Sequence, residues 1–252
     1  MTYYAHTAED KEGRPLSVES RRWQRLSDHL QNVARLARRF AEPLGLDREG
    51  ELAGRLHDLG KYRAEFQSYL RGECAGSEET QHAIYGAAWA WTAELIAAPF
   101  AIAGHHAGLH DRHELEVKVT SPQVTGPIPM LVEKLQAELG LSPKHPGIPT
   151  FLETSAQPAL AADVCIRLLF SCLVDADRLD TANWPGPTPE DLPLDAASLL
   201  ARALAERDRK QAANPDSPLA GLRNRIFECC LAAGVELPGF FSLTVPTGGG
   251  KT

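Results

Sequence analysis

The stretch Arg55-Leu56-His57-Asp58-Leu59-Gly60-Lys61 decides the reading of this chain. Leu52 and Leu56 set a helical spacing that begins near Asp47, a residue suited to capping a helix, and Gly60 weakens the helix soon afterwards. The helix therefore ends on a histidine beside an aspartate, two metal-ligand side chains that diverge by about 100°. One ion cannot easily take both. Two neighbouring ions can, with Asp58 bridging them.

Working outward, further ligand-type residues fall on inward faces or helix ends. Upstream, Trp23, Leu26, Leu30, Val33, Ala37 and Phe40 form one apolar stripe of a helix expected from about Ser17 to Ala41, and His29 lies beside that stripe. Downstream, Phe66, Tyr69 and Leu70 face inward from a short helix. Thr80 is placed to cap an alanine- and tryptophan-rich helix with His82 in its first turn. Pro99 opens another short helix ending around the pair His105-His106 and Gly108. Residues 111–149 read as loop-rich, with one helix near 129–139. A long helix from Gln157 to about Thr181 is apolar almost all round, which predicts a central position. In its Asp175-Ala176-Asp177-Arg178-Leu179-Asp180 run, Asp177 shares the stripe of Ile166, Phe170 and Leu173. Asp175 points about 160° away, and Asp180 lies within roughly 60° of Asp177, a supporting or solvated position.

Each residue has a plainer reading alone: His29 as a hydrogen-bonded core histidine, His82 as either, Lys61 as a cation at a helix C-terminus. The set of His29, His57, Asp58, His82, His105, His106 and Asp177 is harder to dismiss. Imidazole with carboxylate suits manganese, iron, cobalt, nickel or zinc better than calcium or magnesium, and the absence of thiolates argues against a structural zinc site. Two ions about 3.5–4 Å apart would stabilise the attacking and leaving oxygens of a phosphoryl transfer. His6, His110, His113 and His145 are expected on the surface or in loops.

Composition bounds the rest. The 252 residues are 43% hydrophobic and 23% charged, which excludes a disordered, collagen-like or coiled-coil chain. A net charge of −7 is unlike a protein that blankets duplex DNA with cations. Five scattered cysteines without a CxxC pair, and an N-terminus unlike a signal peptide, point to a cytoplasmic, soluble protein. The apolar run from Ile84 to Gly104 carries Glu94 and Pro99 and is expected to be two buried helices, not a membrane span. Trp184-Pro185-Gly186-Pro187 cannot continue a helix; an amphipathic helix follows from Ala196 to Ala213, and Asn214 to Pro218 resembles a linker. Phe240 to Val245 is a strand candidate running into glycines. The body is expected to be all-α, over residues 1–213, with an α/β domain beginning in 214–252.

The Arg55–Lys61 run resembles the signature of the HD superfamily of metal-dependent phosphohydrolases. With His82 followed by Gly86-Ala87, with Phe66-Gln67-Ser68-Tyr69-Leu70 and with His105-His106-Ala107-Gly108, the chain is similar to the nuclease domain of the CRISPR-associated helicase-nuclease of type I systems, from about Ala5 to Asp180. That resemblance implies an α-helical nuclease that cuts single-stranded DNA with one or two divalent transition metals (manganese, iron, nickel or cobalt). By that likeness one metal is held by His29, His57, Asp58 and Asp177, and the other by Asp58, His82, His105 and His106. Lys61 is then expected near the scissile phosphate, with Asp58 at the catalytic centre. An HD phosphohydrolase acting on nucleotides or cyclic nucleotides would use the same ligands.

Pro246-Thr247-Gly248-Gly249-Gly250-Lys251-Thr252 is similar to the first motif of a superfamily-2 helicase, with Val245 in place of the usual first glycine. There Gly248, Gly250, Lys251 and Thr252 would hold ATP and its magnesium. The sequence given stops before the rest of such a domain, so this chain by itself is expected neither to hydrolyse ATP nor to unwind DNA. The partners implied are single-stranded DNA, the covalently continuing helicase and an RNA-guided surveillance complex, with the protein a monomer away from membranes.

Overall fold

The structure, a computed structural model, describes residues 2–8, 12, 16–20, 22–76, 81–184, 195–215, 217–237 and 241–245. It is predominantly helical and divides into two units, residues 1–190 and 191–252.

In the first unit, α1 (Leu26–Ala41) and α2 (Asp47–Leu56) pack closely, and α10 (Pro158–Asn183) lies against both. The expected stripe is the buried face of α1: Leu26, Leu30, Val33 and Ala37 are all inaccessible. Small residues set the α1–α2 spacing. A Cβ on Gly54 would come within 2.5 Å of the Ala34 Cα and 2.6 Å of its nitrogen, so only glycine allows this backbone approach. That approach carries His57, just past α2, toward His29 on α1.

The first helix is nine residues shorter than the expected start at Ser17. Residues 18–20 make a single 3-10 turn, and Gln24–Arg25 pair antiparallel as β2 with β1 (Tyr4–His6). Tertiary contacts override helical spacing here: the Trp23 indole donates to the Leu16 carbonyl at 2.8 Å and packs edge-on against Tyr4. Asp47 is the first helical residue of α2 and not its cap, which falls on Leu46 without a side-chain bond.

The short α3 (Ala64–Leu70) buries Phe66, but Tyr69 is exposed. The apolar run from Ile84 to Gly104 forms α4 (Ala83–Thr92) and α5 (Ala98–Gly104), and no described helix is long and apolar enough to cross a membrane. Residues 111–149 hold more helix than expected: α6 (Arg112–Val119), α7 (Pro122–Thr125) and α8 (Ile128–Leu139). Asp111 caps α6 by accepting from the Glu114 amide at 2.9 Å, and only Leu115 and Val119 of that helix are buried, too few to print a period. After α9 (Thr150–Thr154), α10 buries one face only: Cys165, Leu169, Cys172, Leu173, Ala176 and Asp180. Leu160, Val164 and Leu168 are exposed, so α10 holds the expected central position against α1, α2 and α5 with one apolar flank left open.

In the second unit, α11 (Ala196–Ala213) is capped by Asp195, whose side chain accepts from the Ser198 amide at 3.0 Å. A second helix, α12 (Ala220–Ala233), was not evident in the sequence; Gln211 and Asn224 bond across the turn, and Arg207 sits over the Phe227 ring. Residues 241–245 carry no strand, whose ladder would need a partner. Phe240 and the glycine loop with Gly248, Gly250, Lys251 and Thr252 lie outside the described residues, as does Thr80.

Candidate metal centre

Four helices and the segments leaving them converge on one point. His29 comes from α1, His57 and Asp58 from the end of α2, His105 and His106 from the end of α5, and Asp177 from α10. His82 stands at the N-cap position of α4, one residue before the helix and not inside its first turn. The last carbonyls of a helix lack partners, and the two helix-end histidines use them in the same way. His57 Nδ1 bonds the Gly54 carbonyl at 2.9 Å, and His105 Nδ1 bonds the Ile102 carbonyl at 2.7 Å. His29 Nδ1 bonds the Asp180 carboxylate, also at 2.7 Å. Since each Nδ1 faces an acceptor, each donates its proton there and turns its Nε2 inward.

Those inward nitrogens surround Asp58, which is 1% exposed. His29 Nε2 and His57 Nε2 lie 3.2 and 3.3 Å from Asp58 Oδ2, and 3.4 and 3.8 Å from Asp177 Oδ1. His82 Nε2 and His105 Nε2 lie 3.2 and 3.7 Å from the other oxygen, Oδ1. His106 Nε2 is 2.8 Å from His82 Nε2. Two groups result, His29–His57–Asp177 and Asp58–His82–His105–His106, each with its donor atoms within 4.8 Å of one another. Asp58 offers one oxygen to each.

This donor set fits a cation. The Nε2 atoms of His29 and His57 face each other at 3.1 Å, a spacing that requires a proton or a metal ion between the two nitrogens. Both oxygens of Asp58 and the Nε2 of His105 are buried without a hydrogen bond, although Lys61 Nζ forms an ion pair with Asp58 Oδ2 at 2.7 Å. Orphaned buried polar atoms are costly and rare. Protonation equilibria report the same field. Burial opposes charge on His29, yet the Asp177, Asp180 and Asp58 carboxylates prevail and raise it to about 10. Burial and the neighbouring His105 and His82 lower His106 to about 4, and burial also lowers His82, which keeps these two rings neutral and able to ligate. Asp58 lies well below the carboxylate range: burial works against its charge, but His57, Lys61 and His82 outweigh it.

Three residues around the cluster were placed less well by the sequence. His6, expected on the surface, is half-buried on β1, edge-on to the His29 ring at 4.8 Å between centroids, with a donor atom within 4.8 Å of those of His29 and Asp58. Strand β1 holds it there: Gln67 bonds the Tyr4 amide and carbonyl, and Lys61 Nζ donates to the Ala5 carbonyl at 3.2 Å. Lys61 is thus 3% exposed and engaged on both sides. Asp180 is buried and takes both His29 and Gln24 on one oxygen, the latter at 2.5 Å, so it is a supporting residue and not a solvated one. Gln24 gave no signal in the sequence beyond its place before α1. Asp175 is exposed, as are His113 and His145, while His110 is half-buried beside Glu114.

No curated protein matches the chain. Residues 26–139 match the family model of the HD domain, a span that takes in His29, His57, Asp58, Lys61, His82, His105 and His106 but not Asp177. HD domains bind divalent metals, and the match supports the HD superfamily for this part of the chain, with metal-dependent phosphohydrolase chemistry to go with its histidine and aspartate cluster.

Proposed function

We propose that this chain is the nuclease part of a CRISPR-associated helicase-nuclease, hydrolysing phosphodiester bonds of single-stranded DNA. The observation that carries the hydrolytic reading is the division of Asp58 between two sets of inward imidazole nitrogens. His29, His57, Asp58 and Asp177 would hold one divalent transition metal, and Asp58, His82, His105 and His106 the other. Such ions, when bound, lower the pKa of water and neutralise charge developing on phosphate. The chain's own part is to aim the Nε2 lone pairs, to keep His82 and His106 neutral, and to hold Asp58 against the Lys61 ammonium. Lys61 is directed to Asp58 and to β1, so it fixes the bridge on one side and the His6 strand on the other.

The CRISPR assignment is supported by the sequence phrases around His57, His82 and His105 and by the helicase-like Gly248–Thr252 run. With them come the continuing ATP-dependent helicase, the surveillance complex that recruits it, and a cytoplasmic setting. The test is a direct comparison of substrates with manganese or nickel. Circular single-stranded DNA should be cut, while nucleoside triphosphates, monophosphates and cyclic nucleotides should turn over at least tenfold more slowly per site. Preferential turnover of a nucleotide would replace the nuclease reading with that of a nucleotide phosphohydrolase.

Asp180 gives a second test that does not depend on the substrate. Through Nδ1 it orients His29 and raises its basicity, and loss of such a partner typically lowers metal affinity about 10–100-fold. Asp180→Ala should weaken manganese binding, measured by titration calorimetry, by that order, with Asp180→Asn intermediate. Equal affinity in all three proteins would make the bond to His29 incidental.

A further inference from the structure

Beside the cluster opens a groove of about 930 Å³, with His82 and His106 in its wall. The rings that close one metal group therefore also border this space. Its other walls carry Arg63, His110, Lys118 and Gln123. Arg63 is held by stacking, its guanidinium 4.9 Å from the Tyr85 ring centre, and by Glu65 at 3.4 Å. Lys118 and His110 share Glu114, at 2.6 and 3.3 Å, at the groove's edge. Exposed pairs of this kind are weak, so an arriving phosphate can take Lys118 from its carboxylate.

What the groove lacks matters as much. Among its described lining residues the only aromatic ring other than imidazole is Tyr85, which is 6% exposed. Bases have no open platform on which to stack, whereas phosphates find two cations, an amide and imidazole. The Asp58 cluster is itself buried, which a flexible backbone can approach more readily than a stiff duplex can.

We propose that this groove binds the phosphates flanking the scissile bond, making the site specific for a single-stranded polynucleotide, largely regardless of base sequence, and not for a mononucleotide. The inference rests on the phosphodiesterase reading of the cluster. It assigns Lys118, Arg63 and Gln123 to the substrate and makes Glu114 a competitor for Lys118.

The experiment uses the whole chain and a fluorescently labelled oligothymidylate, with calcium replacing the transition metal so that binding is read without cleavage. Lys118→Glu and Gln123→Glu, both exposed sites, should each weaken binding about tenfold. Lys118→Glu should also flatten the dependence of log affinity on log salt by at least about 0.7, the share of one phosphate contact on a single strand. Glu114→Gln should tighten binding severalfold. Hydrolysis of bis(4-nitrophenyl) phosphate, which needs the cluster but not the groove, should be unchanged in all three. Unchanged oligonucleotide affinity in Lys118→Glu and Gln123→Glu overturns the groove, and so does an equal loss of oligonucleotide binding and small-diester hydrolysis. If the parent protein fails to hydrolyse the small diester while Lys118 and Glu114 still govern oligonucleotide affinity, the groove stands and the phosphodiesterase reading falls.

Discussion

Asp58→Ala is expected to reduce cleavage of circular single-stranded DNA by roughly three orders of magnitude or more. A bound cation supplies several kcal/mol of charge stabilisation in the transition state, and each 1.36 kcal/mol is about a factor of ten in rate. Asp58 is the one carboxylate facing both groups, so its loss weakens both, whereas loss of Asp177 leaves the His82–His105–His106 side its own carboxylate. The alanine variant also leaves the Lys61 ammonium buried without a carboxylate, against the Ala5 carbonyl and the Phe66 ring, and an uncompensated buried charge costs about 3–5 kcal/mol. Asp58→Asn separates the two effects. It keeps the volume and an oxygen for Lys61 to bond, and it removes the charge that attracts cations. Both variants should lose bound metal by elemental analysis, and manganese should raise the melting temperature of the parent but not of Asp58→Asn. Cleavage by Asp58→Asn at the parent rate would remove Asp58 from the mechanism.

The same charge logic bears on the chain's acidic balance. A net charge of −7 counts the carboxylates that face the cluster but gives no weight to cations they would hold. Local sign is what a phosphate meets: the cluster with its cations and the groove with Arg63 and Lys118, not the average over the surface.

Legibility in the sequence followed the length of the pattern. His29 could be placed inward because the apolar spacing of a 16-residue helix surrounds it, and Asp177 could be separated from Asp175 because α10 is long and regular. His57 and His105 were legible as adjacent ligand pairs, yet the bonds of their Nδ1 atoms to Gly54 and Ile102 depend on helix-end geometry that no spacing prints. His6 was misplaced because β1 has no pattern of its own. Three residues are too few for alternation, and what holds the strand is long-range: Gln67, Lys61 and the pairing with β2. Similarly, α6 rests on two apolar residues and a cap. The groove was invisible, since Arg63 is distant in sequence from Lys118 and Gln123 and each reads as an ordinary surface residue.

Gly86→Ala is expected to damage both stability and the cluster, because α4 crosses the end of α2 at this residue. A Cβ here would run into the Leu56 carbonyl oxygen and lie 2.8 Å from its carbon and 3.3 Å from Ile102 Cγ2. Backbone cannot rotate aside as a side chain can, so the helices must separate. Overpacking costs typically 1–3 kcal/mol, and a backbone obstacle belongs at the upper end. The gain in helix propensity from glycine to alanine, up to about 1 kcal/mol, offsets only part of it. The residue struck, Leu56, directly precedes His57 and Asp58, while His82 is the N-cap of α4. Separation therefore lengthens the 3.2 Å approach of His82 to Asp58 Oδ1. The expected result is a melting temperature lower by about 5 °C and loss of metal first from the His82–His105–His106 side. Gly221→Ala, where nothing lies within 4 Å of the added carbon, should lower neither. A Gly86→Ala protein with parental melting temperature and full metal content would show that the α2–α4 contact does not set the position of His82.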